Sequence, residues 1–324
     1  MSSVLITGAG GFIGSHLAEL CVERGFSVRA FVRYNSKNDW GWLESSIHKK
    51  NIHVITGDIR DLDSVASAMK GREIVFHLAA LIGIPYSYIS PLAYIRTNIE
   101  GTYNVLQSAL QSGVRDVLVT STSETYGTAQ YVPIDENHTL AAQSPYAATK
   151  ISSDQLALSY YRSFGLPVKV VRPFNAYGPR QSARAIIPTI ITQLMSEQKR
   201  LVLGNLQPTR DLTYVQDTAC AFLDIHENDQ LVGQVTNVGT NQEISVKNLA
   251  TTIAGLMNRE IELVTDAHRV RPQASEVERL LCDNRKILSL TKWRPVVDLK
   301  SGLTRTIEWI ASHLDEYKAE IYNV

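Results

Sequence analysis

Val4-Leu5-Ile6-Thr7-Gly8-Ala9-Gly10-Gly11-Phe12-Ile13-Gly14 is a short β-branched run that ends in a glycine-rich turn. The turn opens a segment predicted helical over about 13–24, and this strand-turn-helix context is what a dinucleotide fingerprint requires. Gly8 permits the tight turn, Gly11 lets the backbone approach a pyrophosphate at the helix N-terminus, and Gly14 allows the helix to pack closely on the strand. Phe12 and Ile13 share that turn. The spacing is GxxGxxG, because Ile13 stands where GxGxxG has its last glycine.

Outward from this turn, β-branched runs alternate with helical patterns. The runs fall at 4–6, 28–32, 53–55, 74–76, 117–119 and 168–171, and helices are expected at 13–24, 61–70, 91–112 and 147–164, with Gly25, Gly113 and Gly165 as terminators. Six strands in this order predict an α/β fold, a doubly wound Rossmann-type parallel sheet. After Pro173 the alternation breaks, and helices are expected at 245–257 and 299–314. The stripe Leu299, Leu303, Ile307, Ile310 and Leu314 reads as packing. With no repeat and no low-complexity linker, a smaller α/β substrate domain is expected to be interwoven with the first. The expected division is 1–173 plus about 211–240 for the dinucleotide, and about 174–210 plus 241–324 for the substrate.

Composition excludes several classes. The chain has 324 residues, 44% of them apolar, with 32 basic against 32 acidic residues. A balanced surface lacks the cationic field that nucleic acid or an anionic membrane would need. Cys21, Cys220 and Cys282 are widely spaced with no CxxC, against a disulfide framework or a zinc site, and no metal is expected. With only Met1, Ser2 and Ser3 before the first apolar run, and no apolar stretch near 18 residues, a cytoplasmic protein that neither crosses nor binds a membrane is expected.

NAD-specific sites place an acid about 20 residues beyond the fingerprint. Here Arg33 holds that place, followed by Asn35 and Ser36, and no acid appears before Asp39. A guanidinium with amide and hydroxyl donors suits a 2′-phosphate, so NADP is favoured over NAD. Asp58, with Ile59, follows the third strand, where a carboxylate can accept the adenine amino group. Leu78, Ala79 and Ala80 follow the fourth, where small side chains leave room for the cofactor.

Tyr146 and Lys150 lie four residues apart at the start of a helix and therefore share a face. A nearby cation stabilises a phenolate, making Tyr146 a general-base candidate. Thr122, Ser123 and Glu124 end the fifth strand, at the edge where open α/β sheets bind ligands. His77 and His138 read as lone structural or surface residues.

Taken together, TGxxGxxG at 7–14, Thr122-Ser123-Glu124, YxxxK at 146–150, Arg172-Pro173-Phe174-Asn175-Ala176-Tyr177-Gly178-Pro179-Arg180, Thr209-Arg210-Asp211 and Arg271-Pro272 resemble the extended short-chain dehydrogenase/reductase family, specifically its nucleotide-sugar modifying members. The resemblance implies that Asn175, Arg180, Arg210 and Arg271 contact a sugar nucleotide. Thr122-Ser123-Glu124 is similar to the triplet of GDP-mannose 4,6-dehydratases. The run from Tyr126 to His138, with 180–184, resembles dehydratases of bacterial legionaminic-acid synthesis, which act on GDP-N-acetylglucosamine.

The implied chemistry is 4,6-dehydration. Tyr146 takes the O4 proton while Thr122 orients that oxygen, and oxidation at C4 gives a ketone that acidifies C5–H. Glu124 removes the C5 proton as the C6 hydroxyl leaves as water, and the stored hydride returns to C6. Ser123 stands where dTDP-glucose dehydratases carry Asp, so either Ser123 relays the C6 proton or Glu124 serves as both base and acid. A UDP-glucuronate decarboxylase, a 4-epimerase and a non-catalytic NADP-binding sensor are the competing readings. A homodimer is expected through the helices at 91–112 and after Tyr146, where Leu92, Ile95, Ile99, Leu106, Ile151, Leu158 and Tyr161 supply more apolar positions than one sheet-facing stripe needs.

Overall fold

A computed structural model describes residues 2–196 and 200–317. Strands β1 (Ser3–Thr7), β2 (Ser27–Arg33), β3 (Ile52–Gly57), β4 (Ile74–His77), β5 (Asp116–Thr120), β6 (Val168–Pro173), β7 (Asn175–Tyr177), β8 (Arg200–Leu203), β9 (Thr209–Tyr214), β10 (Val235–Val238), β11 (Glu243–Ser245), β12 (Glu262–Thr265) and β13 (Arg279–Leu280) alternate with helices. These are α1 (Phe12–Glu23), α2 (Leu62–Met69), α3 (Ile84–Ile89), α4 (Pro91–Tyr94), α5 (Gly101–Gln111), α6 (Pro145–Phe164), α7 (Ile186–Met195), α8 (Val215–His226), α9 (Val246–Leu256), α10 (Arg285–Leu290) and α11 (Leu299–Ser312).

Seven strands form one parallel sheet in the order β10-β6-β5-β4-β1-β2-β3. Val4, Leu5 and Ile6 are fully buried because helices cover both faces. On one side α1 and α8 pack around Leu17, Ala18 and Phe222; on the other α2, α5 and α6 enclose Val75, Val105 and Val119. The chain leaves β1 for β2 and β3 in one direction and returns at β4 on the other side, so a crevice opens above the carboxyl ends of β1 and β4. This is the doubly wound α/β architecture.

All six expected strands are present, and β10 is a seventh. Its four residues, Val-Thr-Asn-Val, are too short and polar to stand out, and its place comes from pairing beside β6. The expected 91–112 helix is interrupted in its winding, since Ile95–Glu100 widens into a π-helical segment between α4 and α5. Gly25, Gly113 and Gly165 all adopt positive φ just past helix ends.

The smaller half holds the sheet β11-β9-β13, with β7 beside β9, and the parallel pair β8-β12. Its core joins α7, α9 and α11 through Ile187, Ile190, Ile253, Leu303 and Ile310. Within the C-terminal stripe, Leu299, Leu303, Ile307 and Ile310 belong to this core, whereas Leu314 is 37% exposed because the helix ends at Ser312. The expected junctions also differ in detail. β9 runs unbroken through 211, held by pairing with both β11 and β13. Ile287 and Trp293, expected in the second domain, are buried in the first core, where Trp293 Nε1 donates to the Asp217 carbonyl at 2.7 Å.

Candidate active site

The crevice is a cleft of about 1190 Å3 lined by both halves of the chain. That exceeds the usual range for a single small ligand and leaves room for two. The glycine turn forms one end. Gly8 adopts φ +71°, and a Cβ on Gly14 would lie 2.2 Å from the Gly8 carbonyl oxygen, so helix and strand meet at a distance only glycine allows. Gly11 caps α1 with no side-chain hydrogen bond, which leaves the first N–H groups of the helix facing the cleft. The turn therefore fits a dinucleotide pyrophosphate. Phe12, Ile13, Ile59, Leu78, Ala79 and Ala80 line the same region, and the Ala79 N–H donates to Thr7 Oγ1 at 3.2 Å.

Beside this turn the segment 35–41 folds back over Gly10, to whose carbonyl the Trp42 N–H donates at 3.0 Å. Arg33 lines the cleft and, among the described residues, makes no ion pair within 4.0 Å. Asn35 lines the cleft as well. Asn35 spends its side chain on its own loop, donating to the Asp39 carbonyl at 2.7 Å and accepting from the Lys37 and Asp39 N–H groups at 3.1 and 3.0 Å. Ser36 is not among the residues lining the cleft. Asp58 does line it, forked onto Arg60 at 2.9 and 2.5 Å; the Arg60 hydrogen bonds hold its carboxyl below the usual carboxylate range.

At the centre, β5 and α6 come together. Thr122 caps a 3₁₀ turn over Ser123–Tyr126, its Oγ1 accepting from the Glu124 N–H at 3.3 Å, which places Ser123 and Glu124 in the cleft wall, both buried. Ser144 caps α6 by accepting from the Ala147 N–H at 3.1 Å, and Pro145 occupies the first helical position. Tyr146 and Lys150 then project from the first two turns into the cleft. Burial pushes the Tyr146 phenol well above its ordinary value; its hydrogen bond with Thr122 opposes this, while the charge on Glu124 adds to it. Burial lowers Lys150, whose ammonium donates to the Thr120 carbonyl at 2.5 Å. The proximity of Lys150 thus does not by itself bring Tyr146 to a working pKa, because desolvation is the larger effect.

The far end is cationic. Arg210 and Arg271 converge on Glu276, each 3.6 Å from its Oε1, and Arg210 also donates to the Thr209 carbonyl at 2.9 Å. Glu276 is missing from the expected site because nothing in its local sequence marks it. Asn175 lines the cleft with its Oδ1 buried and without a hydrogen-bond partner. Arg180 is not in the cleft. Its guanidinium is buried against Glu19 and Ser15 of α1 and lies 5.6 Å from the Trp309 ring, where it joins the two halves of the fold. The neighbouring residues Gln181, Ser182 and Arg184 line the cleft instead.

The two lone histidines are structural. Neutral His77, its pKa pushed down to about 3 by burial and by Lys150, bridges Thr7 and Thr102 at 2.7 and 3.0 Å. His138 accepts from the Gln130 N–H at 3.0 Å. Among the described residues no group of three metal-ligating side chains occurs, and no helix is long and apolar enough to cross a membrane.

The family model described as GDP-mannose 4,6 dehydratase matches residues 5–306. The UDP-N-acetyl-alpha-D-glucosaminuronate decarboxylase of Bacillus cytotoxicus is 33% identical over 94% of this chain and 96% of its own. A dTDP-glucose 4,6-dehydratase from Streptomyces venezuelae, solved with NAD and TYD bound, superposes with a TM-score of 0.86 at 26% identity, covering 98% of this chain and 99% of that one. A UDP-glucose 4-epimerase from Thermotoga maritima, solved with UDP-glucose, gives a TM-score of 0.86 at 28% identity, covering 96% and 99%. A match that takes in the glycine turn, the Thr122 to Lys150 centre and the arginine end covers every part of the cleft described above. The chain belongs to the GDP-mannose 4,6 dehydratase family, among the NAD-dependent epimerase/dehydratase members of the short-chain dehydrogenases/reductases.

Proposed function

We propose that this protein is a nucleotide-sugar 4,6-dehydratase acting on GDP-N-acetylglucosamine. The observation that carries the reaction type is Glu124, a buried carboxylate on the turn capped by Thr122 and close enough to Tyr146 for its charge to act on the phenol. Oxidation at C4 needs an oriented hydroxyl and a base, the roles of Thr122 and Tyr146. Lys150 stabilises the phenolate formed on the way. Elimination needs a second base at C5, the role of Glu124, and a proton for the departing C6 hydroxyl, supplied by Ser123 or by Glu124 once protonated. When bound, the nicotinamide supplies the hydride acceptor at C4 and the donor at C6.

The GDP-N-acetylglucosamine reading rests on the resemblance at 126–138 and on Gln181 to Arg184, with Asn175, Arg210 and Arg271 as the sugar-nucleotide contacts. The cofactor is NADP in preference to NAD, on the strength of Arg33, with Asn35 beside it in the cleft wall and Ser36 outside that wall. Gly8, Gly11, Phe12, Ile13, Gly14, Asp58, Ile59 and Leu78 to Ala80 hold the rest of the dinucleotide in the seven-stranded half, and the smaller half takes the sugar nucleotide. A cytoplasmic homodimer completes the reading. The three cysteines are free, two of them buried, and α4 to α6 expose Leu92, Ile95, Tyr103 and Tyr161.

Decarboxylation of a nucleotide uronate is the second reading, favoured by the relative at 33% identity. It shares the C4 oxidation and differs in losing carbon dioxide. Incubation with UDP-, GDP-, dTDP- and CDP-activated sugars, followed by mass, separates the two. Loss of about 18 mass units from the GDP sugar supports dehydration; loss of carbon dioxide from a uronate, or an unchanged mass with inverted C4, overturns it.

A further inference from the structure

Three consecutive residues at the end of β5 hold three residues one turn apart on α6. The Thr120 carbonyl accepts from Lys150 Nζ at 2.5 Å, Ser121 Oγ donates to Asp154 Oδ2 at 2.6 Å, and Thr122 hydrogen-bonds Tyr146. Positions 146, 150 and 154 share a helix face, so the strand end and the helix meet as a ladder of three rungs. The first and third rungs belong to the reaction. The second, Ser121 to Asp154, has no assigned role.

Asp154 is fully buried. Its Oδ2 also accepts from Arg172 Nη2 at 2.7 Å, and Arg172 Nε donates to Ser121 Oγ at 3.2 Å, closing a triangle behind the cleft floor. Arg172 is itself fixed, lying 4.6 Å from the Tyr126 ring. Asp154 Oδ1 is buried with no hydrogen-bond partner, so this carboxylate carries more charge than its bonds satisfy. Lys150, one turn away, is a buried ammonium that makes no ion pair within 4.0 Å among the described residues. A buried cation with only a carbonyl for company is costly unless a countercharge lies near.

We propose that Asp154 is a positioning residue: its carboxylate, fixed by Ser121 and Arg172, is the countercharge that keeps Lys150 an ammonium seated on Thr120 and so holds the Tyr146 end of the ladder in place. The proposal rests on the Tyr146 and Lys150 roles given above. Asp154, on its own helix face with Tyr146, is the charge that acts on Lys150; Lys150 in turn acts on His77 of β4, Glu124 lines the same cleft, and Arg172 on β6 pairs with Asp154. His77 is neutral. Burial lowers the Lys150 pKa, and the charge on Asp154 opposes it. Removing that charge leaves burial unopposed, so Lys150 loses its proton at lower pH.

Two readouts test this on the full chain. Lysine Cε NMR, with the Lys150 signal assigned from Lys150→Arg, reports the titration without any substrate. Single-turnover reduction of the bound cofactor by the nucleotide sugar reports the alkaline limb of C4 oxidation. Asp154→Asn is expected to move both downward by about one pH unit, the common size of such shifts. Asp154→Glu should restore them, and Ser121→Ala, which cuts the hydrogen bond and keeps the charge, should leave them in place despite a lower melting temperature. An unmoved Lys150 titration in Asp154→Asn overturns the proposal. If that variant does not fold, Asp154→Ser, which also removes the charge, is read in its place, and an unmoved titration there overturns the proposal. Failure of every nucleotide sugar to reduce the cofactor in the wild type counts against the proposed function, while the substrate-free titration still decides on Asp154.

Discussion

The Arg180 guanidinium forks onto the Glu19 carboxylate, Nη1 to Oε2 at 2.9 Å and Nη2 to Oε1 at 3.0 Å. This pair ties the loop after β7 to α1 and is one of the contacts between the smaller half and the seven-stranded half, beside the Trp42 and Trp309 rings 5.8 Å apart. Arg180→Ala leaves Glu19 largely buried without its partner and is expected to cost about 3–5 kcal/mol of stability, the scale for breaking a buried pair. KM for the sugar nucleotide should change little at temperatures where the variant is folded. Burial is the largest single influence and works to raise the Glu19 pKa, but the hydrogen bonds from Arg180 and Ser46 and the charges of Arg180 and His16 together outweigh it and lower it from its ordinary value of 4.5. The pair's contribution is therefore fully present above that value and lost as pH falls through the lowered one. Thermal melts of wild type and variant across acidic pH should converge; parallel curves would contradict the assignment.

Glu124 and Tyr146 should separate the two halves of the reaction. Tyr146→Phe removes the group that takes the O4 proton and should abolish cofactor reduction. Glu124→Gln keeps the hydrogen-bonding shape but not the base, so C4 oxidation should proceed and elimination should stall, with reduced cofactor accumulating by absorbance. Full dehydratase turnover by Glu124→Gln would remove it as the C5 base.

The large sheet was readable because its strands are buried on both faces and spell runs such as Val4-Leu5-Ile6 and Val168-Lys169-Val170-Val171, bounded by glycine. The smaller half was not, since β7, β11 and β13 have only three, three and two residues and exist through partners far along the chain. At the site, Tyr146 and Lys150 were legible from helical spacing. Asp154 continues that spacing by one more turn, so the same rule could have found it. Arg180 was misplaced because the motif that contains it does not say which way its side chain turns. In the structure it points back to α1, where Glu19 supplies a carboxylate, and the cleft receives Gln181, Ser182 and Arg184.

Arg33 decides the cofactor prediction. It stands at the end of β2 where a carboxylate would grip ribose hydroxyls, and it makes no ion pair among the described residues. NADP should bind more tightly than NAD. Arg33→Ala should narrow the gap by about 1–3 kcal/mol, the scale of a charge-assisted hydrogen bond. Asn35→Ala should act differently, loosening the 35–39 loop and weakening both cofactors alike, because its side chain bonds only backbone, three times within that loop and once at the Arg33 carbonyl. Equal wild-type affinities in direct titration would reject the NADP preference.

The dimer prediction follows from what α4, α5 and α6 leave uncovered. Leu106 and Leu158, expected at the subunit contact, are buried in the protomer's own core against Val105 and Ala157, so they contribute nothing outside it. Leu92 and Ile95 remain 55% and 47% exposed, with Tyr103, Tyr161 and Phe164 also at the surface of these helices. A two-fold contact brings the same patch from two chains together and braces the helix that carries Lys150. Light scattering at micromolar concentration should give twice the 36.0 kDa chain mass. Leu92→Glu with Ile95→Glu places charge on that patch without touching the core and should return the mass to one chain. A wild-type mass of a single chain would reject the dimer, and a double variant that stays dimeric would move the contact to another face.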